Sequence, residues 1–306
     1  MFKNTLIDLF LFLSSSIVFA QQVSRIANLE LPLPSKQDVI ITHLGYTLSY
    51  NEQHEQANWV AYELTAAETQ KVVGRSNNFR MDGDIKTGSA TNADYKGFGY
   101  DRGHLAPAGD MGWSIQAMEE SFFYSNMSPQ VQGFNRGIWK KLEERVRCWA
   151  VDNQSVYVVT GPILKNNLPF IGSNKVSVPL YYYKVILDYS QPELKGIGFI
   201  LTNASSSLPL QNFAVPIDSV EHITGIDFFP ALPDKQERDI EKTICISSWS
   251  WTSTSTVHKS HYSPTQVRGG ATVQCSAITK AGTRCKRVTS NLSGLCTQHE
   301  KMASGS

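Results

Sequence analysis

Three short stretches carry side chains that could do chemistry together. Asp101-Arg102-Gly103-His104 runs into Leu105-Ala106-Pro107; Asn126-Met127-Ser128-Pro129-Gln130 follows, and then Asn135-Arg136-Gly137-Ile138-Trp139-Lys140-Lys141-Leu142-Glu143. Each is modest alone, since a lone histidine is more often a hydrogen-bonded structural residue than a catalyst and a basic helix is usually a solvated face. Together they offer a base, a neutral oxygen ligand for a hard cation, a carboxylate to hold metal-bound water, and cations for phosphate. Those are the parts of metal-assisted phosphodiester hydrolysis.

Such parts need a scaffold, and the chain is long enough to provide one. Its 306 residues are 41% hydrophobic with 21 Gly and 13 Pro, which excludes low-complexity and collagen-like chains. Trp59–Thr65 alternates as a half-buried strand does, and 155–160, 178–188 and 197–201 are rich in Val, Ile and Tyr. Ser114 can cap a helix running to about Tyr124, a second spans about Phe134 to Trp149, and Pro216 with Gly225 brackets a short third. The expectation is an α+β fold in which helices flank a central, mainly antiparallel sheet. Residues 246–270 are Ser/Thr-rich without an apolar period and read as a linker, leaving 21–245 as the catalytic domain and 271–301 as a small module.

The motifs resemble the sugar-non-specific DNA/RNA endonucleases with a ββα-metal site, a family that includes secreted bacterial nucleases and mitochondrial endonuclease G. Asp101-Arg102-Gly103-His104 carries the likeness, supported by Gly45–Tyr50, Thr160-Gly161-Pro162, Ala214-Val215-Pro216 and Thr224–Phe229. The resemblance implies a catalytic strand and helix pinching one divalent ion. It assigns His104 as general base, Asn135 as the one side chain that binds the metal directly, and Glu143 as the carboxylate that holds metal-bound water. An ordinary histidine is largely neutral at pH 7 to 8, and a more acidic medium should silence it. Asn135, Trp139 and Glu143 follow at four-residue steps along one side of the expected helix. One amide oxygen is a poor cage, so water and phosphate must complete the shell, as Mg²⁺ demands and Mn²⁺ tolerates. Arg75 and Arg102 are the candidates for steadying charge on the phosphate, with Arg80 the alternative to Arg75. Asp101 reads as a positioning residue or a structural ion pair.

Global charge is nearly balanced, 28 basic residues against 27 acidic, so attraction for DNA and RNA must be local. The stretch 136–147 supplies it, with Arg136, Lys140, Lys141, Arg145 and Arg147 against Glu143 and Glu144. Arg136 and Lys140 join Arg75 and Arg102 as expected substrate contacts. Phosphate contacts without a base-reading helix imply little sequence preference. The Tyr181–Tyr183 run reads as sheet packing, and His43, His54 and His222 as structural. Two rival readings are a catalytically dead nucleic-acid or metal-binding protein on this scaffold and a nuclease toxin effector.

The ends add two expectations. Lys3, the apolar run from Leu6 to Phe19 and Val18-Phe19-Ala20 read as a signal peptide of residues 1–20, interrupted by Asp8, for a secreted or periplasmic product without a membrane span. Of five cysteines, Cys148 and Cys245 stand apart, as a disulfide or two thiols, while Cys275, Cys285 and Cys296 with His299 have the makeup of a tetrahedral Cys₃His zinc site. A disulfide plus a free thiol is the rival there. From Arg268 to Lys301 six basic residues face one acidic one, so the module could also hold nucleic acid or an anionic surface.

Overall fold

The computed structural model describes residues 26–191, 193–252, 273–274 and 287–289. Its chain divides into two compact units, Met1–Trp251 and Thr252–Ser306. In the second, Val273–Gln274 pairs antiparallel with Val288–Thr289. The leader and all four expected zinc ligands, Cys275, Cys285, Cys296 and His299, lie outside the described residues. No described helix is long and apolar enough to cross a membrane.

The first unit is built in the order β1 (Val39–Thr42), β2 (Thr47–Asn51), β3 (Gln56–Thr65), α1 (Asn92–Tyr95), β4 (Tyr100–His104), α2 (Ile115–Glu120) and β5 (Met127–Val131). There follow α3 (Lys140–Asp152), β6 (Ser155–Pro162), β7 (Phe170–Ile171), β8 (Val176–Ser177), β9 (Tyr181–Asp188), β10 (Lys195–Thr202), β11 (Ala214–Val215), α4 (Ile217–Thr224) and α5 (Asp234–Lys242). Seven strands form one antiparallel sheet in the order β1-β2-β3-β6-β9-β10-β11. The expected α+β architecture is therefore observed.

Period-two alternation buries both sheet faces. Val156, Val158, Tyr182 and Ile186 point to one side and pack with Trp139, Leu142, Val146 and Trp149 of the helical segment. Tyr157, Val159, Tyr183, Val185 and Leu187 point to the other and pack with Ile217, Val220 and Ile240 of α4 and α5. The strand read from Val178 opens at Tyr181, because Pro179 has no N–H to give a ladder. The β1–β2 hairpin and α5 were not read from the sequence. Helix α5 contains a single apolar residue, Ile240, so it has no periodic stripe to find.

Residues 246–251, expected to open a linker, pack on the first unit instead. Ile246–Ser248 forms a 3₁₀ turn, Trp249 is buried, and its ring lies 4.6 Å from that of Trp149 on α3. Serine and threonine content concealed a core tryptophan, Trp249, and a partly buried one, Trp251. Cys148 and Cys245 are both free thiols.

Candidate active site

Strands β4 and β5 form a separate antiparallel hairpin, with His104 opposite Met127 and Gly103 opposite Ser128. The chain then passes through a helical stretch kinked at Gly137, Phe134–Trp139, into α3, giving a ββα unit. Gly103 is required for space: a Cβ there would fall 2.2 Å from the Gln130 side chain lying across it. The residues after His104 are held by Asn126, whose amide accepts from Ala106 N (2.8 Å) and donates to Ala106 O (2.9 Å) and Ser121 O (2.8 Å).

Along β4 alternate residues share a face, so Arg102 goes with His104 and Asp101 points the other way. Phe79 touches both members of the first pair. The Arg102 guanidinium lies 3.8 Å over its ring and the His104 ring sits edge-on at 5.9 Å, with Phe122 edge-on to His104 at 4.8 Å. Arg102 also donates to Asn92 Oδ1 at 3.0 Å. His104 is 7% exposed, and its Nε2 has no hydrogen-bond partner. Burial, then the positive charges of Arg75 and Arg102, push its pKa down to about 3. That shift favours the neutral ring below the ordinary histidine range.

Asp101 orders the other face. It accepts Asn135 Nδ2 at 2.9 Å and two N–H groups of Arg136 at 2.8 and 2.7 Å. The Asn135 amide is thus turned with its nitrogen toward Asp101 and its oxygen away. Arg136, expected to be a free phosphate-binding cation, is instead in a bidentate ion pair, although its side chain remains 66% exposed. Lys140 is exposed and lies 3.6 Å from Glu144. Gly137 has non-helical dihedrals (φ −106°, ψ −109°), so Asn135 and Glu143 do not share one regular helix as the four-residue spacing suggested. Trp139 between them is buried, its ring 5.7 Å from Tyr182.

Glu143 belongs to a cluster that sequence reading did not assemble. Lys184 of β9 is fully buried, its Nζ lies 4.9 Å over the Trp139 ring, and it has no hydrogen-bond partner. Arg147, one helical turn beyond Glu143, donates to Asp110 Oδ1 at 2.6 Å, and Tyr62 donates to Asp110 Oδ2 at 2.9 Å. Burial raises the Glu143 pKa while Lys184, Arg147 and Arg75 oppose it; burial lowers that of Lys184 while Glu143 and Asp110 oppose it. Arg75 thus acts on both His104 and Glu143, with its guanidinium 4.9 Å from the centre of the Phe122 ring and its Nε donating to Asn77. Arg80 is engaged elsewhere, 3.2 Å from Glu119. The geometry therefore favours Arg75 of the two arginines.

Among the described residues, the other histidines lie apart from this centre. His43 pairs with Asp82 at 2.9 Å, His54 with Ser177 at 2.8 Å, and His222 lies in the last turn of α4.

The chain resembles known nucleases over this unit. It is 37% identical to a nuclease of Syncephalastrum racemosum over 242 residues, 71% of this chain and 76% of that protein. It is 36% identical to mitochondrial endonuclease G of Bos taurus over 201 residues, 61% of this chain and 67% of the relative. A solved structure of the EndoG/EndoGI complex, described as showing the mechanism of EndoG inhibition, contains a chain that superposes with a TM-score of 0.62 at 37% identity. That match covers 67% of this chain and 90% of the other. The DNA/RNA non-specific endonuclease family matches residues 22–235, and the chain belongs to that family of phosphodiester hydrolases.

Proposed function

We propose that the chain is a secreted, Mg²⁺-dependent endonuclease that cuts DNA and RNA with little sequence preference, using His104 as base and Asn135 as metal ligand. The observation that carries this reading is the His104 ring: neutral, buried between aromatic edges, flanked by two arginines, and with a ring nitrogen that nothing satisfies. An unspent acceptor beside phosphate-seeking cations is what a general base for water attack requires.

The donor set suits a hard cation. Asp101 orients the Asn135 amide so that its oxygen is the free atom, and Glu143 adds a carboxylate from the following helix. An amide oxygen and a carboxylate with several waters is a Mg²⁺ environment, with Mn²⁺ the natural substitute. When bound, the ion supplies positive charge that stabilises the phosphate's developing negative charge. A ring nitrogen of His104 takes the proton of the attacking water as its oxygen bonds to phosphorus, the P–O bond on the opposite side breaks, and the leaving oxygen takes a proton from solvent. Arg75 and Arg102 hold nonbridging phosphate oxygens, and Asp101 positions Asn135. Lys140 and the exposed edge of Arg136 neutralise neighbouring phosphates.

Plasmid nicking with and without Mg²⁺ tests the whole: His104→Ala should abolish cutting while DNA binding persists, and wild-type rates in that variant would overturn the assignment. Metal titration of Asn135→Ala should show a lower rate that needs more Mg²⁺ to saturate, whereas an unchanged dependence removes Asn135 from the ion. Export through residues 1–20 and one zinc at Cys275, Cys285, Cys296 and His299 belong to the same proposal. The N-terminal sequence of the secreted product and metal analysis of Cys296→Ser check them.

A further inference from the structure

On the sheet face opposite α3, two helices bring carboxylates together. Ile217 of α4 and Ile240 of α5 press over Gly196 of β10, where a Cβ would fall 2.5 Å from Ile217 Cδ1 and 2.8 Å from Ile240 Cγ2. That docking leaves the residue after each isoleucine, Asp218 and Glu241, turned to the shared flank. Glu221 lies one turn beyond Asp218 on α4. Carboxylate oxygens of Asp218, Glu221 and Glu241 all lie within 4.8 Å of one another.

Glu241 makes this more than a surface patch of acids. The residue is only 5% exposed, and its Oε1 has no hydrogen-bond partner. Glu221, in contrast, accepts Phe228 N at 2.8 Å. The charged groups acting on Glu241 are Glu221, Glu237, Asp218 and Asp227, all of the same sign. A buried, unpartnered carboxylate oxygen aimed at two other carboxylates lacks a positive partner.

We propose that Asp218, Glu221 and Glu241 form a Ca²⁺ site that ties α4 to α5, separate from the phosphodiester-cleaving centre. The span of the three oxygens fits one shell, since Ca–O distances of roughly 2.4 Å place oxygens across an ion about 4.8 Å apart. The charge count selects the metal. Three converging carboxylates, with Glu237 and Asp227 beside them, suit Ca²⁺, which takes six to eight oxygen ligands in flexible geometry; Mg²⁺ keeps most of its water and uses about one or two carboxylates. The site's work is structural, since its helices cover the core made by Tyr157, Val159, Tyr183 and Val185.

The test uses the full chain stripped with chelator and then titrated with CaCl₂ or MgCl₂, following thermal unfolding and binding heat. Wild type should melt about 5–10 °C higher at a hundredfold excess of Ca²⁺ over its dissociation constant, with a smaller shift from Mg²⁺. Glu241→Gln should lose the Ca²⁺ shift, melt no lower than wild type in chelator, and keep Mg²⁺-dependent DNA cleavage. Asp218→Asn, a change at an exposed position, should weaken Ca²⁺ binding at least tenfold. No Ca²⁺ shift in wild type, an equal shift in all three proteins, or a Mg²⁺ shift as large as that of Ca²⁺ overturns the proposal. Because cleavage is read separately, a failed Ca²⁺ titration leaves the nuclease assignment standing.

Discussion

The two faces of the central sheet handle buried charge in opposite ways. On the α3 side Glu143 and Asp110 are set against Lys184, Arg147 and Arg75, so signs alternate through the cluster. On the α4–α5 side Asp218, Glu221 and Glu241 meet with only further acids around Glu241. The first arrangement holds an acid in place beside a site that handles phosphate, where a bare carboxylate would repel substrate. The second is frustrated as protein alone and becomes favourable only when something positive arrives. Balanced charge reads as a preorganised catalytic surround, and unbalanced charge as a place for a ligand.

The sharpest separation of the faces is in turnover. His104→Ala should cost about 10² to 10⁴ in cleavage rate without unfolding the protein, whereas Glu241→Gln should leave the rate within about twofold. Steady-state cleavage beside thermal unfolding of both variants measures this, and a large rate loss in Glu241→Gln would dissolve the division between faces.

Stability should show the next largest effect. Removing Lys184 takes from Glu143 the largest charge opposing its burial, while Asp110 keeps Arg147 and Tyr62, so Lys184→Met is expected to lose about 1–3 kcal/mol in urea unfolding. Adding Glu143→Gln to it should return part of that loss. The same kind of neutralisation at Glu241, made in chelator, should stabilise instead.

Stability against pH should then slope in opposite directions. His104 takes up a proton more readily unfolded than folded, so its contribution is lost as pH falls from about 6.5 toward about 3, at most by about 1.4 kcal/mol per pH unit. Glu241 holds its proton more tightly when folded, so its contribution is lost as pH rises from about 4.5 toward about 9. Denaturation of His104→Gln and Glu241→Gln across pH in chelator should flatten the acid and alkaline limbs respectively.

The smallest effect belongs to the exposed rim. Lys140→Ala breaks only the 3.6 Å pair with Glu144 and should change stability by less than about 0.5 kcal/mol. It should still reduce the salt dependence of DNA binding, because one phosphate contact is lost.

Much of the candidate site could be read from residue order because its residues lie close together in the chain. Asp101, Arg102 and His104 share one strand, and Asn135 and Glu143 lie within one strand-to-helix passage. The strands with regular alternation were readable for the same reason. What escaped depended on distance along the chain. Lys184 joins Glu143 only because β9 passes beneath α3, although a lysine inside Tyr181–Asp188 is a visible anomaly in an apolar strand. Asp110 and Tyr62 meet Arg147 across the fold, and Asn126 reaches back to Ala106. The kink at Gly137 was also hidden, since an intact four-residue rhythm runs straight through it.

The tryptophans at the end of the first unit have a consequence for how the enzyme comes into being. Trp149 of α3 donates to Ser250 O at 2.7 Å and is enclosed by Trp249 and by Trp251, whose ring lies 5.3 Å away. The helix that carries Glu143 is therefore clasped by a segment synthesised about a hundred residues later. Chains fold from the N-terminus as they emerge, at about 5–20 residues per second, so α3 waits several seconds for its clasp. A nascent chain that stops short of Trp251 has His104 and Glu143 but not the segment that clasps α3, so the first unit is expected to assemble fully only when its translation is complete.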